Sequence, residues 1–182
     1  MIRLMDVLLS AFGLTMLLPL LIILAGLGWL DNRSPLFFQK RLGRHRQEFV
    51  LVKFRTMRLD TVDMPTHMVS ASFVTPLGQF LRRTKLDELP QLWNVLRGDM
   101  SLVGPRPGLP SHTALTEARE HAGLYEARPG ITGLAQIRGI DMSTPVLLAA
   151  VDAEMVLGLN LKSYFKLIFL TAIGRGSGDR VR

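Results

Sequence analysis

The sequence predicts a mainly helical α+β protein: an N-terminal membrane helix, a small β-hairpin, and amphipathic helices around a compact domain. Three observations predict it. Val7 to Leu30 carries no charged residue. Two short apolar-aromatic runs, Leu36–Gln39 and Phe49–Phe54, flank a basic, glycine-bearing loop. Leu89, Leu92, Trp93 and Leu96 then recur at helical spacing directly after two adjacent carboxylates, Asp87 and Glu88. Composition narrows the class. The 182 residues carry a net charge of +7 and are 48% hydrophobic. A surplus of cations suits an anionic partner, whether nucleic acid, anionic lipid or a phosphorylated substrate. The positive mean hydropathy turns that reading toward a membrane surface. Cysteine is absent, which excludes disulfides and cysteine–zinc sites and permits a reducing compartment.

The apolar run comes first. A helix over Val7–Leu30 would be roughly 36 Å long, against a bilayer core of about 30 Å. That length favours a spanning helix. Pro19 divides the run into two arms of about 18 Å each, which opens a re-entrant hairpin as the alternative. No small-residue cleavage site follows Trp29-Leu30-Asp31, which argues against a removed signal peptide. Arg33, Lys40, Arg41, Arg44 and Arg46 come next and place the following chain on the cytoplasmic side.

Asn32-Arg33-Ser34-Pro35 reads as a turn into the hairpin. In the second strand Lys53 and Arg55 alternate with Val52 and Phe54, so one face is cationic. Arg58–Ser72 lacks a period and reads as a loop near the site; its His67 is assigned no chemistry. Thr75 and Pro76 are an N-cap and a first-turn proline for a helix through Leu77, Phe80 and Leu81.

Arg82–Pro107 is the central stretch. Pro90 belongs in a first helical turn and Gly98 at a helix end, so Asp87 and Glu88 lie at or just before a helix N-terminus. Free N–H groups and the positive dipole end make that a place for anions. Two carboxylates there are reconciled with a phosphate by a divalent cation; the plainer alternative is an N-cap and a first-turn acid. Pro105 and Pro107 hold the backbone on either side of Arg106, which suits bidentate phosphate binding or a structural surface role. A polar helix is expected over Ser111–Ala122. Arg128-Pro129-Gly130-Ile131-Thr132-Gly133 reads as a turn whose backbone approaches a ligand closely. Ser143 or Thr144 caps a helix from Val146 to about Leu159. A last amphipathic stretch holds Leu161, Tyr164, Phe165, Leu167 and Ile168, and suits an interfacial or a core-packed helix.

Five segments carry a family resemblance: Phe37-Phe38-Gln39-Lys40-Arg41-Leu42-Gly43, Lys53-Phe54-Arg55-Thr56-Met57, Lys85-Leu86-Asp87-Glu88-Leu89-Pro90-Gln91, Gly104-Pro105-Arg106-Pro107 and Arg128-Pro129-Gly130-Ile131-Thr132-Gly133. In this order the chain resembles the small monotopic phosphoglycosyl transferases, bacterial sugar transferases that start glycan assembly on a polyprenyl carrier. The resemblance runs from the membrane segment to about Thr171. It implies a re-entrant membrane-anchoring helix over 1–31 broken at Pro19, a catalytic domain over 32–173 on the cytoplasmic face of the inner membrane, and a mobile basic tail over 174–182. It implies transfer of a phosphosugar from a UDP-sugar to undecaprenyl phosphate, with UMP as by-product. Asp87 would be the nucleophile that carries the phosphosugar, and Glu88 would help hold Mg²⁺. Arg106 and Arg128 would steady phosphate oxygens, and Lys53, Arg55 and Thr132 complete the expected phosphate- and substrate-binding set. The expected partners are UDP-sugar, undecaprenyl phosphate and membrane lipid; a homodimer is permitted, and nucleic acid is not expected.

One departure concerns the anchor: family members often carry serine before the breaking proline, whereas Leu18 stands here and cannot satisfy a freed carbonyl. The shortness of the chain implies a minimal catalytic form. Sugar selectivity is expected from Met64–His67 and the region after Arg138. The alternative function is a membrane-anchored scaffold in which Asp87 and Glu88 only cap a helix. A basic nucleic-acid module ranks below it, because Trp29 and Trp93 fall in the membrane segment and on an apolar helix face rather than beside the cations. A phosphohydrolase would need no lipid-embedded anchor.

Overall fold

The computed structural model describes residues 1–60 and 71–176. Most of the Arg58–Ser72 loop, including Met64–His67, and residues 177–182 of the tail lie outside the described residues. The apolar N-terminal run forms one helix, α1 (Ile2–Asn32), which ends where Arg33 adopts a left-handed conformation and its N–H bonds the Trp29 carbonyl. It is long and apolar enough to cross a membrane, by length and composition. Pro19 lies inside this continuous helix rather than between two separated arms. Proline removes one donor and bends an axis without having to end the helix.

Both halves of α1 grip the rest of the chain. Near its start Arg3 donates to the carbonyls of Leu96 and Met100. Asp6 accepts from Ser101 Oγ, Leu102 N–H and the Tyr164 hydroxyl. Near its end Leu24 is buried with Phe54 and Leu81, and Gly28 abuts Pro35, where a Cβ would come within 3.1 Å. The other side of α1 exposes Leu4, Leu8, Phe12, Met16, Ile23 and Leu27, an apolar area with no partner among the described residues.

The expected hairpin is present, with strands slightly longer than their apolar runs. Strand β1 (Leu36–Leu42) pairs antiparallel with β2 (Glu48–Phe54), Leu36 opposite Phe54 and Leu42 opposite Glu48. Helix α2 (Pro76–Thr84) starts as read, with Thr75 accepting from the Gly78 N–H. Gly78 lets α2 lie directly on the chain after β2, since a Cβ there would sit 2.0 Å from the Thr56 carbonyl oxygen.

Helix α3 (Gln91–Arg97) ends at Gly98, whose φ of 96° is in the left-handed region. Its apolar stripe does not supply the core of the domain. Leu92 faces α1, next to Gly13, and Trp93 is exposed. The side turned into the domain carries Gln91, Asn94 and Val95, all buried. Val95 packs inward with Leu51 and Met100, so α3 is apolar toward both the anchor and the domain, with Gln91 and Asn94 as the polar members of its inner side.

Gly130–Thr132, expected as a turn near a ligand, is strand β4, paired in parallel with β3 (Ser101–Val103). The close approach its glycines permit is to another backbone. A Cβ on Gly130 would lie 2.0 Å from the Gly104 nitrogen, and one on Gly133 would lie 2.6 Å from the Gly104 oxygen. Helices α4 (Thr113–His121), α5 (Leu134–Ile137), α6 (Pro145–Leu157) and α7 (Leu161–Ala172) complete the fold. They bury Leu115, Ala135, Leu148 and Val151 in one cluster, and Val103, Met155, Tyr164 and Leu167 in another.

Candidate active site

Asp87 and Glu88 do not sit in the first turn of α3. They occupy a separate 3₁₀ turn, Leu86–Glu88, between α2 and α3. Lys85 creates it by taking a left-handed conformation, φ 58°, which closes α2 and turns the chain. A non-glycine residue there is sparsely tolerated, and such conformations gather at functional sites. Both carboxylates are buried, Asp87 at 5% and Glu88 at 8% exposure, and buried charges need partners. Arg106 supplies one, its Nη2 lying 2.6 Å from Glu88 Oε1.

Arg106 is held through its backbone. Buried Arg119 donates to the Arg106 carbonyl at 2.7 Å and to Asp152 Oδ2 at 2.7 Å. Buried Arg41 donates to the Pro107 carbonyl. Burial pushes the Asp152 carboxyl above its ordinary value, and Arg119 opposes the shift. The Gly104–Pro107 connector is therefore fixed by two arginines as well as by its prolines.

Two cavities meet at Arg106. One is lined by Arg41, Leu51, Lys53, Gln91, Arg106 and Pro107. The other is lined by Lys85, Glu88, Arg106, Thr132, Gln136, Thr171 and Arg175, with Ile131 and Ile137. Burial lowers the Lys85 ammonium from its ordinary value, Glu88 pulls it back up, and Arg106 pushes it down again. These groups share one electrostatic neighbourhood.

The structure thus brings Lys53, Glu88, Arg106 and Thr132 around two adjoining cavities, with Asp87 beside Glu88. Lys53 is buried, its ammonium 5.5 Å from the Phe37 ring centroid. Two expected members are engaged elsewhere. Arg55 lies 5.2 Å from the same Phe37 centroid and donates to the Ser34 and Leu36 carbonyls. Arg128 donates to the Gly98 carbonyl, at the end of α3 remote from Asp87.

Sequence reasoning missed several supporting residues. Asn94 is fully buried; its Oδ1 accepts from Val52 N–H and its Nδ2 donates to the Val50 carbonyl, which docks β2, and so Lys53, on α3. An asparagine inside a helix was the available signal, since that residue is a poor helix former unless its side chain has a tertiary partner. Arg41, Arg119 and Asp152 gave no local signal. Among the described residues no group of three or more His, Asp or Glu could hold a metal ion. The available donor set is the Asp87–Glu88 pair, which suits Mg²⁺ that keeps waters and takes phosphate oxygens, rather than a cation caged by protein alone.

The family model for bacterial sugar transferases matches residues 1–175, and so spans every element of this site. The chain belongs to that family. A UDP-glucose:undecaprenyl-phosphate glucose-1-phosphate transferase of Caulobacter vibrioides is 46% identical over 143 residues, covering 76% of this chain and 54% of the relative. An undecaprenyl-phosphate glucose phosphotransferase of Komagataeibacter xylinus is 40% identical over 186 residues, covering 93% of this chain and 34% of the relative. A UDP-galactose-lipid carrier transferase of Erwinia amylovora is 39% identical over 147 residues, covering 69% and 30%. The chain therefore spans about half or less of the length of these relatives, and what it shares with them is the sugar transferase region.

Proposed function

We propose that this sugar transferase moves a phosphosugar from a UDP-sugar to undecaprenyl phosphate through an aspartyl intermediate. The observation that carries the reading is the buried Asp87–Glu88 turn set against Arg106 and a cationic cavity. Asp87 Oδ attacks the sugar-bearing β-phosphorus; the new O–P bond forms as the bond to UMP breaks, and UMP leaves with the bridging oxygen. The lipid phosphate then attacks the same phosphorus, forms the diphosphate link and releases the Asp87 carboxylate. A carboxylate nucleophile divides one hard displacement into two easier ones. Arg106, fixed by Arg119 and Arg41, meets charge on the phosphoryl oxygens. Lys53 and Lys85 add positive charge from the two cavities, and Thr132 offers a hydroxyl. Glu88 would help hold Mg²⁺, which when bound would neutralise diphosphate charge.

The anchor is proposed to lie in one leaflet of the bacterial cytoplasmic membrane, re-entrant in the sense that both ends stay on the cytoplasmic face. Supporting this, Asp6 near one end and Leu24 and Gly28 near the other pack on the same polar domain. An upright spanning helix would carry one of those contacts out of reach of the other.

The test is UMP release from protein in nanodiscs with Mg²⁺, undecaprenyl phosphate and a donor panel led by UDP-glucose and UDP-galactose. Release should need the lipid, and Asp87→Asn should lower it by about 10³-fold or more, as loss of a nucleophile does. Lipid-independent turnover would point to hydrolysis; activity surviving in Asp87→Asn would refute the aspartyl route. In sealed inside-out membrane vesicles, Ile2→Cys and Asn32→Cys proteins should both be labelled by an impermeant reagent added outside, which is the cytoplasmic side; labelling of only one of them would refute re-entrance.

A further inference from the structure

The two glycines flanking Arg175 both have positive φ, 83° at Gly174 and 89° at Gly176. That backbone strongly favours glycine and reverses the chain just after α7. The reversal is anchored at each residue. The Gly174 N–H bonds the Thr171 carbonyl, and the Arg175 N–H bonds the Leu170 carbonyl. The Arg175 carbonyl accepts from the Lys85 ammonium at 2.5 Å. Gly176 sits against the Gln136 backbone, where a Cβ would come within 2.9 Å of the carbonyl oxygen. The start of the segment expected to be a mobile tail thus lies beside the cavity lined by Glu88 and Arg106, and Arg175 is part of that lining.

The charge of that cavity is informative. Its ionisable lining is Lys85, Arg106 and Arg175 against Glu88, a surplus of two positive charges. Lys85 and Arg106 are tied to the Arg175 carbonyl and to Glu88 respectively. The Arg175 guanidinium is exposed and has no hydrogen bond or ion pair among the described residues. A diester of diphosphoric acid carries two negative charges, and a guanidinium fork matches its oxygens.

We propose that the Gly174-Arg175-Gly176 turn is a substrate-binding element in which Arg175 contacts the diphosphate of a nucleoside diphosphate donor. The inference rests on the transferase reading and adds a residue to it from the far end of the chain. The Lys85 ammonium ties this turn to the left-handed residue that precedes Asp87 and Glu88.

The experiment compares the parent, Arg175→Ala, Arg175→Lys and Arg97→Ala in nanodiscs; Arg97 is an exposed arginine at the other end of α3. Donor kcat/KM and the affinity for UDP alone are read for each. Loss of one charge-assisted contact predicts a fall of roughly tenfold in both for Arg175→Ala. Arg175→Lys should recover part of it, and Arg97→Ala should match the parent. The melting temperature of Arg175→Ala should stay at the parent value, because the side chain is exposed. Unchanged UDP affinity, or a fall matched by Arg97→Ala, would overturn the proposal. If no donor turns over, the transferase reading fails separately, and UDP affinity still decides Arg175: weakened binding in Arg175→Ala supports it, and no UDP binding by the parent ends it.

Discussion

Asp6 and Glu88 are both buried acids, and they are used in opposite ways. Asp6 is 2% exposed, and one of its oxygens accepts from Ser101 Oγ, Leu102 N–H and Tyr164 Oη at 3.0, 2.9 and 2.8 Å. Burial and that hydrogen bond hold the Tyr164 phenol far above its usual value, so it stays a donor. Three donors from β3 and α7 converge on one residue of α1. Glu88 has a hydrogen bond from Arg106, the Lys85 charge nearby and a cavity. A carboxylate with a full set of donors fastens structure. One with one hydrogen-bonded arginine and space beside it retains acceptor capacity for a metal or a phosphate-bearing ligand.

The contrast is broken most directly by exchanging the losses. Glu88→Gln keeps an acceptor for Arg106 and should lower turnover by about 10²-fold or more, with a melting temperature near that of the parent. Asp6→Ala strands three donors and should cost about 3 kcal/mol of stability, read by chemical denaturation in detergent. Equal destabilisation by the two variants would erase the distinction.

A smaller effect sharpens it. Lys85 is depressed from 10.5 by burial first, with Glu88 raising it and Arg106 lowering it. Its charged form is lost as pH rises through that lowered value. The alkaline limb of donor kcat/KM should therefore begin below the ordinary lysine range and move upward in Lys85→Arg. An unmoved limb would remove Lys85 from donor binding. The smallest effect belongs to Arg128. It holds the Gly98 carbonyl, so Arg128→Ala should cost about 1 kcal/mol of stability with turnover within a few-fold of the parent. A loss of turnover as large as that of Glu88→Gln would instead put Arg128 in the phosphate site.

Local signals in the chain were legible. Thr75-Pro76 opened α2, Gly98 closed α3, and the two aromatic runs paired as a hairpin. Each depends on residues within a turn or two of one another. The Asp87–Glu88 pair and Arg106 were also legible, because their neighbours formed recognisable segments. The face of α3 that turns inward was not, since a stripe of leucines has the same period whether it meets a core or an anchor helix. Gly130 and Gly133 were read as making room for a ligand when they make room for Gly104.

The sequence by itself determined the anchor helix, the hairpin, the start of α2 and the end of α3, because propensity, capping and turn chemistry act over a few residues; Asp87 as candidate nucleophile came from the resemblance of its segment to a family. Only the tertiary structure decided that Arg119 and Arg41 hold the Arg106 loop, that Asn94 docks β2, that Arg128 serves the α3 terminus, and that Arg175 returns to Lys85 across 90 positions of chain. Those contacts are made by long, flexible polar side chains whose partners are set by packing of distant elements, and no spacing along the chain records them.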